Sequence, residues 1–179
     1  MLEYKGDSLV ISSKRLFLKP FKYDDNEFLY KLNNNRKVNK YLGTNSVSME
    51  SCNSLINKWI KKYRNDYIFN VHKVILKAKE ESIGFICLKK DSNDNEAELG
   101  YNFIPKYWGY GYCTEIATEL IKNSFEETQI ERVFAEIHPE NTRSIRLIKR
   151  LNFKEDNKCG NNSGKLYYFD KNIYHSIDK

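Results

Sequence analysis

The stretch from Ala97 to Glu115, "AELGYNFIPKYWGYGYCTE", restricts the fold more than any other part of the chain. Its first half alternates as a half-buried strand does, with Leu99 on one face and Glu98, Gly100 and Asn102 on the other. That strand is expected to end near Pro105. A helix is expected from about Gly111, because Ile116, Ala117, Leu120, Ile121 and Phe125 fall on one helical stripe. A further strand, "RVFAEIH", and a further helix, "NTRSIRLIKRLN", follow. Strand, helix and strand in that succession form a parallel crossover unit.

Upstream the pattern is antiparallel. "YIFNVHKVI", "SIGFICLKK" and "AELGYNFI" are three strands in a row, separated by the polar turns "KAKEE" and "DSNDNE", which predicts a meander. Before them, "RLFLKPF" puts Leu16 and Leu18 on one strand face, and "DDNEFLYKLNNN" predicts a helix capped by Asp24 or Asp25 with Phe28, Leu29 and Leu32 inward. The clearest helix carries Cys52, Leu55, Ile56, Trp59, Ile60 and Tyr63 on one stripe, with Ser48 near its entry, and is expected to cover the sheet. At the other end "KEDNKCGNNSGK" reads as a hairpin turn between short strands, and "LYYFDKNIY" closes the chain. No repeat, linker or low-complexity tract divides these elements, so one α/β domain over residues 1–179 is expected.

Composition narrows the function classes. Hydrophobic residues make up 40% of 179 and charged ones 30%, a balance that excludes a disordered chain. The net charge of +6 suits an anionic partner, but 30 basic residues are interspersed with 24 acidic ones. A phosphate-rich cofactor satisfies that excess as well as nucleic acid does, and without a basic block direct nucleic-acid binding is not expected. Cys52, Cys87, Cys113 and Cys159 lack the paired short spacings of zinc or redox sites, which predicts reduced, mostly buried thiols and no metal. No run approaches the roughly 18 apolar residues of a membrane helix, and the first residues lack a leader pattern, so a cytoplasmic protein without membrane contact is expected.

The chemistry lies in the turn. A helix that starts just after a strand presents backbone amides with no helical acceptor, and these attract phosphate. Gly109 and Gly111 leave the backbone approachable, and Thr114 adds a hydroxyl from the first helical turn. "WGYGYCTE" resembles the acetyl-coenzyme A pyrophosphate loop of the GNAT N-acetyltransferase superfamily, whose pattern is Gln or Arg, two residues, Gly, one residue, Gly or Ala. Gly111 matches the central glycine, while Trp108 and Cys113 stand where that family has Gln or Arg and Gly or Ala. With "HPENTRSIRLIKRLNF", the stretch is similar to the branch that acetylates protein N-termini, including those of ribosomal proteins. The resemblance runs from Arg15 to about Tyr168 and implies a mixed, mostly antiparallel sheet of about six to seven strands flanked by about four helices.

That resemblance also implies a site. The backbone of Gly109, Tyr110, Gly111, Tyr112, Cys113 and Thr114 would hold the pyrophosphate, with Trp108 and the tyrosines walling the cofactor or packing the strand end. Phe103 and Ile104 would pair with the pantetheine amides as a strand does, and Asn141 would contact the cofactor near its thioester. Asn141 also suits the N-cap of the helix bearing Ile145, Ile148 and Leu151. Arg143, Arg146 and Arg150 share a helix face that either meets the cofactor 3′-phosphate or is simply solvated. Cys113, at a helix N-terminus, is either a small buried spacer or a thiol of lowered pKa.

Attack on a thioester needs a neutral amine. Deprotonating an α-amine of pKa about 7.7 to 8.0 near pH 7 costs roughly 1 kcal/mol, against roughly 4 to 5 for a lysine. A modest base therefore suffices for a protein N-terminus. Glu98 is the expected base, directly or through water, with Glu96 as the alternative on the same face. The tyrosine that other family members use as general acid would fall at Ile148, which leaves Ser144 as the candidate to meet the sulfur. His72, His138 and His175 have no acid or metal partner at local spacing and are expected in structural or surface roles. The expected activity is acetyl transfer to a protein N-terminal α-amine by a monomer or homodimer. A small amine such as an aminoglycoside, polyamine or amino acid is the second acceptor class, and an inactive coenzyme-A-binding module the third reading.

Overall fold

Leu16 and Leu18 point inward from strand β3 (Leu16–Pro20), and the chain then turns through a short 3-10 segment, Tyr23–Asp25, into helix α1 (Asn26–Asn33). The computed structural model describes residues 3–5, 8–42, 46–90, 95–160 and 164–177. A two-stranded ribbon, β1 (Glu3–Lys5) and β2 (Ser8–Val10), precedes β3, and a short helix α2 (Arg36–Asn39) leads towards α3 (Met49–Lys62). Ser48 caps α3 by accepting the Ser51 amide at 3.1 Å.

The meander follows as β4 (Val71–Leu76), β5 (Glu81–Lys90) and β6 (Glu96–Phe103). Helix α4 (Tyr112–Glu127) crosses over to β7 (Arg132–Ile137), which pairs parallel with β6. Helix α5 (Thr142–Arg150) and the hairpin β8 (Lys154–Cys159) and β9 (Lys165–Asp170) complete the sheet, and α6 (Lys171–Ile177) packs behind it. The seven strands lie in the order β3-β4-β5-β6-β7-β9-β8, antiparallel except at β6-β7.

Alternation along the strands feeds two apolar layers. One face carries Leu18, Val74, Ile86, Leu88, Leu99 and Val133 against Ile116 and Leu120 of α4 and Ile148 of α5. On the other, Phe21, Val71 and Cys87 meet Leu29 of α1 and Cys52 and Ile56 of α3. Lys73 is tolerated inside because Asp25 takes its ammonium at 2.6 Å.

Several expectations shift. The mixed sheet and its crossover match, but the helices number six among the described residues rather than about four, α2 and α6 being the additions. The "LYYFDKNIY" stretch leaves the ladder at Asp170, because the Lys171 amide turns to the Glu131 carbonyl (2.8 Å) and Tyr174 packs on Phe125. Asp25 does not cap α1 through its side chain; its carboxylate accepts the Lys22 amide (2.7 Å) and the Lys73 ammonium instead. Of the expected turns, residues 91–94 of "DSNDNE" and 161–163 of "KEDNKCGNNSGK" lie outside the described residues. Cys52 and Cys87 are buried free thiols, as the spacing suggests.

Candidate active site

Strand β6 has one edge fully occupied by β5, from Ala97 to Phe103. Its other edge pairs with β7 only at Glu96, Ala97 and Glu98, and beyond Glu98 the two parallel strands part. In an antiparallel ladder successive residues direct their amide and carbonyl to alternate edges. The Ile104 amide donates to the Ile83 carbonyl at 2.9 Å, which fixes that alternation. The backbone groups of Leu99, Tyr101 and Phe103 therefore point towards β7; the Leu99 amide closes the ladder opposite Phe134, and from the Leu99 carbonyl onward they face a gap.

The gap opens into a cleft of about 670 Å³ whose floor is β6 and whose walls are the glycine turn, the first turns of α4 and α5, and, opposite, α2 with β5. A cleft of this size is in the range of small-molecule and cofactor sites. At its rim Gly109 (φ 87°) and Gly111 (φ 78°) are left-handed, a conformation that side chains with a Cβ rarely adopt. A Cβ at Gly109 would meet nothing, so it is the backbone angle and not space that calls for glycine there. The first amide of α4 with a backbone acceptor is that of Glu115, bonded to the Gly111 carbonyl at 3.0 Å. The amides of residues 109–114 thus have no backbone acceptor among the described residues and crowd the positive end of a 16-residue helix.

Side chains hold this turn from outside. Glu115 accepts the Ser13 hydroxyl (2.8 Å), the Arg15 amide (2.7 Å) and the Arg15 Nε (2.6 Å), while Arg15 Nη2 donates to the Tyr110 carbonyl at 3.1 Å. Burial alone would raise the Glu115 pKa, but these donors outweigh it and keep the carboxyl below its ordinary value. Trp108 Nε1 donates to the Phe103 carbonyl at 2.7 Å, tying the turn to the strand end, and the Arg143 guanidinium lies 4.1 Å from its ring centre. Where the resembling family has Gln or Arg, Trp108 packs between the strand end and Arg143.

Most of the sequence-predicted residues meet here. Glu98, Phe103, Trp108, Gly109, Gly111, Tyr112, Cys113, Thr114, Asn141, Ser144 and Arg146 all line the cleft, as do Arg143 and Arg150. Two do not. Tyr110 points outward at 60% exposure and stacks on Tyr112, contributing only its backbone, and Ile104 has spent its amide on Ile83. With the Phe103 carbonyl engaged by Trp108, the free strand edge lies upstream, at the Leu99 carbonyl and the Tyr101 amide and carbonyl. Cys113 is half-buried, packing against the core layer while lining the cleft, and desolvation pushes its thiol pKa up, which speaks against the reading as a low-pKa thiol.

Between the two carboxylates, Glu96 is engaged by Arg132 (3.8 Å), whereas Glu98 makes no hydrogen bond or ion pair to a described residue. Asn141 caps α5, its Oδ1 accepting the Ser144 amide at 3.2 Å. Ile148 is fully buried in the core layer. Sequence reasoning missed Tyr101, whose hydroxyl is closed off from solvent and has no hydrogen-bond partner of normal geometry. Burial drives its pKa strongly up, Cys113 adds to the rise, and the facing Ser144 hydroxyl opposes it. It also missed Lys37 and Tyr41, which line the α2 side.

The acetyltransferase (GNAT) domain family model matches residues 15–154. A relative in Bacillus subtilis, the uncharacterized N-acetyltransferase YnaD, is 29% identical over 165 residues, covering 89% of this chain and 94% of that one. Among solved structures, the ribosomal L7/L12 α-N-protein acetyltransferase RimL in complex with coenzyme A superposes with a TM-score of 0.75 at 15% identity, covering 90% of this chain and 97% of that one. Spermidine N-acetyltransferase from Vibrio cholerae, in complex with coenzyme A and spermine, gives 0.74 at 20% identity, covering 90% and 98%. At these identities both neighbours report on the fold.

Proposed function

The chain belongs to the GNAT acetyltransferase family, and on that premise we propose that it acetylates a protein N-terminal α-amine from acetyl-coenzyme A by direct attack within a ternary complex. The observation that carries the reading is the row of unpaired amides over residues 109–114, at a helix N-terminus beside an open strand edge. These groups fit a pyrophosphate followed by an amide-bearing arm: six amides and the Thr114 hydroxyl for the anion, and the Leu99 carbonyl with the Tyr101 backbone for the arm. Arg143, Arg146 and Arg150, exposed at the mouth without ion pairs among the described residues, suit the remaining phosphate.

Bound acetyl-coenzyme A supplies the acyl group as an activated thioester. Glu98, on the β6 face that looks towards α3, is free to take the amine proton directly or through a water. Ser144, its backbone fixed by Asn141, offers a hydroxyl on the opposite side of the strand. The acceptor enters from the α2 side, where Lys37 and Lys89 lie at the cleft edge. Two cations there disfavour a polycationic acceptor such as the spermidine named for one neighbour, and accept a peptide bearing a single α-amine. Mass spectrometry of acetylation over a panel of peptide N-termini and small amines tests this. Transfer to peptide α-amines in preference to polyamines is expected, and exclusive transfer to polyamines, or to none, overturns it.

A further inference from the structure

Trp108 and Arg143 come from different elements and meet in the cleft wall. Trp108 stands just before the glycine turn, half-buried against the core layer, and the 2.7 Å bond from its Nε1 to the Phe103 carbonyl fixes the ring. Arg143 stands in the first turn of α5, exposed, with its guanidinium carbon 4.1 Å from the centre of that ring. No carboxylate among the described residues pairs with it. The first turn of α5 carries no acidic residue either, so the cation sits at the positive end of a helix, where the dipole disfavours it. A contact that holds a cation against that field, beside six unpaired amides, asks for an anion.

At this distance the guanidinium rests on the ring, and its N–H groups remain available at its edge. Those edge groups are the ones that grip a phosphate in pairs, so ring and phosphate use different parts of the same side chain. An ammonium has no such flat face, and its flexible stem leaves it unplaced. Arg146 and Arg150 lie on the same helix, but neither has a ring contact among the described residues. We infer that Trp108 is a positioning residue, which holds the Arg143 guanidinium beside the amides of residues 109–114 to grip a phosphate of the acyl donor. The inference rests on the acetyl-coenzyme A reading above. Trp108 itself makes no bond to the phosphate; it acts through Arg143, whose side-chain freedom it reduces before the donor arrives.

Calorimetric titration with coenzyme A of Arg143→Ala, Arg143→Lys, Trp108→Leu and their combinations tests the pair. With Trp108 present, Arg143→Ala is expected to weaken binding about 10-fold and Arg143→Lys about 5-fold. In the Trp108→Leu background the same two changes are expected to cost less than about 3-fold and to differ by less than about 2-fold. A Trp108 that only packs would weaken binding alike in every background and leave the preference for arginine over lysine intact. That result overturns the inference, as does an Arg143→Ala loss below about 2-fold. Trp108→Phe keeps a ring without the bond to Phe103 and serves where Trp108→Leu does not fold; its arginine preference is expected to fall between the two, and one equal to the wild type's overturns the inference. Dephospho-coenzyme A, which lacks the 3′-phosphate, separates the two phosphate sources. The Arg143→Ala loss persists with it if the pyrophosphate is gripped and disappears if the 3′-phosphate is, and either result supports the inference. Failure of the wild type to bind coenzyme A overturns the proposed function as well, whereas wild-type binding without the coupling overturns this inference alone.

Discussion

The glycine-turn side of the cleft is built from backbone and the α2 side from side chains. Six amides, two left-handed glycines and an open strand edge make up the first, and a brace of Ser13, Arg15 and Glu115 holds them from a distant part of the chain. Against this, α2 is four residues long and capped by Asn35; it presents Lys37 to the cleft, and the turn after it adds Tyr41 and the exposed Leu42. A backbone site recognises a common chemical shape and tolerates sequence change around it. A side-chain site changes its preference with each substitution. One family can therefore keep its donor and vary its acceptor.

The largest expected effect falls at the seam between the two sides. Glu98→Gln should lower kcat by about 10² to 10⁴ and leave acetyl-coenzyme A binding unchanged; steady-state kinetics with calorimetry checks both, and loss of binding would move Glu98 to the donor side. Next comes His72, buried against the rings of Tyr63 and Tyr67 with Nε2 at 2.8 Å from the Tyr67 carbonyl. Burial lowers its pKa to about 4 from the ordinary 6.5, with the Tyr67 carbonyl opposing. The unfolded chain then binds the extra proton between those values, so stability is full above about pH 6.5 and falls as pH drops towards 4. The loss is about 3 kcal/mol at most. Denaturant titrations over that range should give this slope, and His72→Gln should flatten it.

Gly111→Val forces a branched side chain into a left-handed angle, and should weaken coenzyme A binding roughly 10- to 100-fold, ~1.4–2.7 kcal/mol, with the acceptor KM unchanged. Arg146→Ala should cost about 3- to 10-fold in the same binding, less at high salt; an effect that ignores salt contradicts a phosphate contact. Smallest is Lys37→Glu, expected to alter the acceptor KM only a few-fold and to improve polyamines relative to peptides. If it changed coenzyme A binding as much as Gly111→Val does, the division between the two sides would fail.

Legibility follows the same division. The meander, the crossover and the glycine turn could be read because strand alternation, helical spacing and glycine are local signals. Glu115 and Arg15 stand 100 residues apart, and no local pattern announces their bond. Tyr101 sits at core spacing between Leu99 and Phe103, so its phenol passes as packing until the absence of a partner is seen in three dimensions. Ile104 turns its amide to Ile83 for a related reason: which edge an amide faces depends on how the strands pair, which local spacing does not announce. At Cys113 the helix-terminal position suggests activation while partial burial against the core layer works the other way, a balance that spacing alone does not show. On the α2 side, residues 43–45, just after Leu42, lie outside the described residues.

The central claim is that the turn over residues 109–114 is a pyrophosphate cradle for an acyl donor. Calorimetric titration of the wild-type chain with coenzyme A and, in parallel, with pantetheine tests it most directly. Saturable one-site binding of coenzyme A, with pantetheine bound at least about 100-fold more weakly for want of the pyrophosphate, is the predicted result. A folded sample that takes up neither, or binds both equally well, contradicts the account.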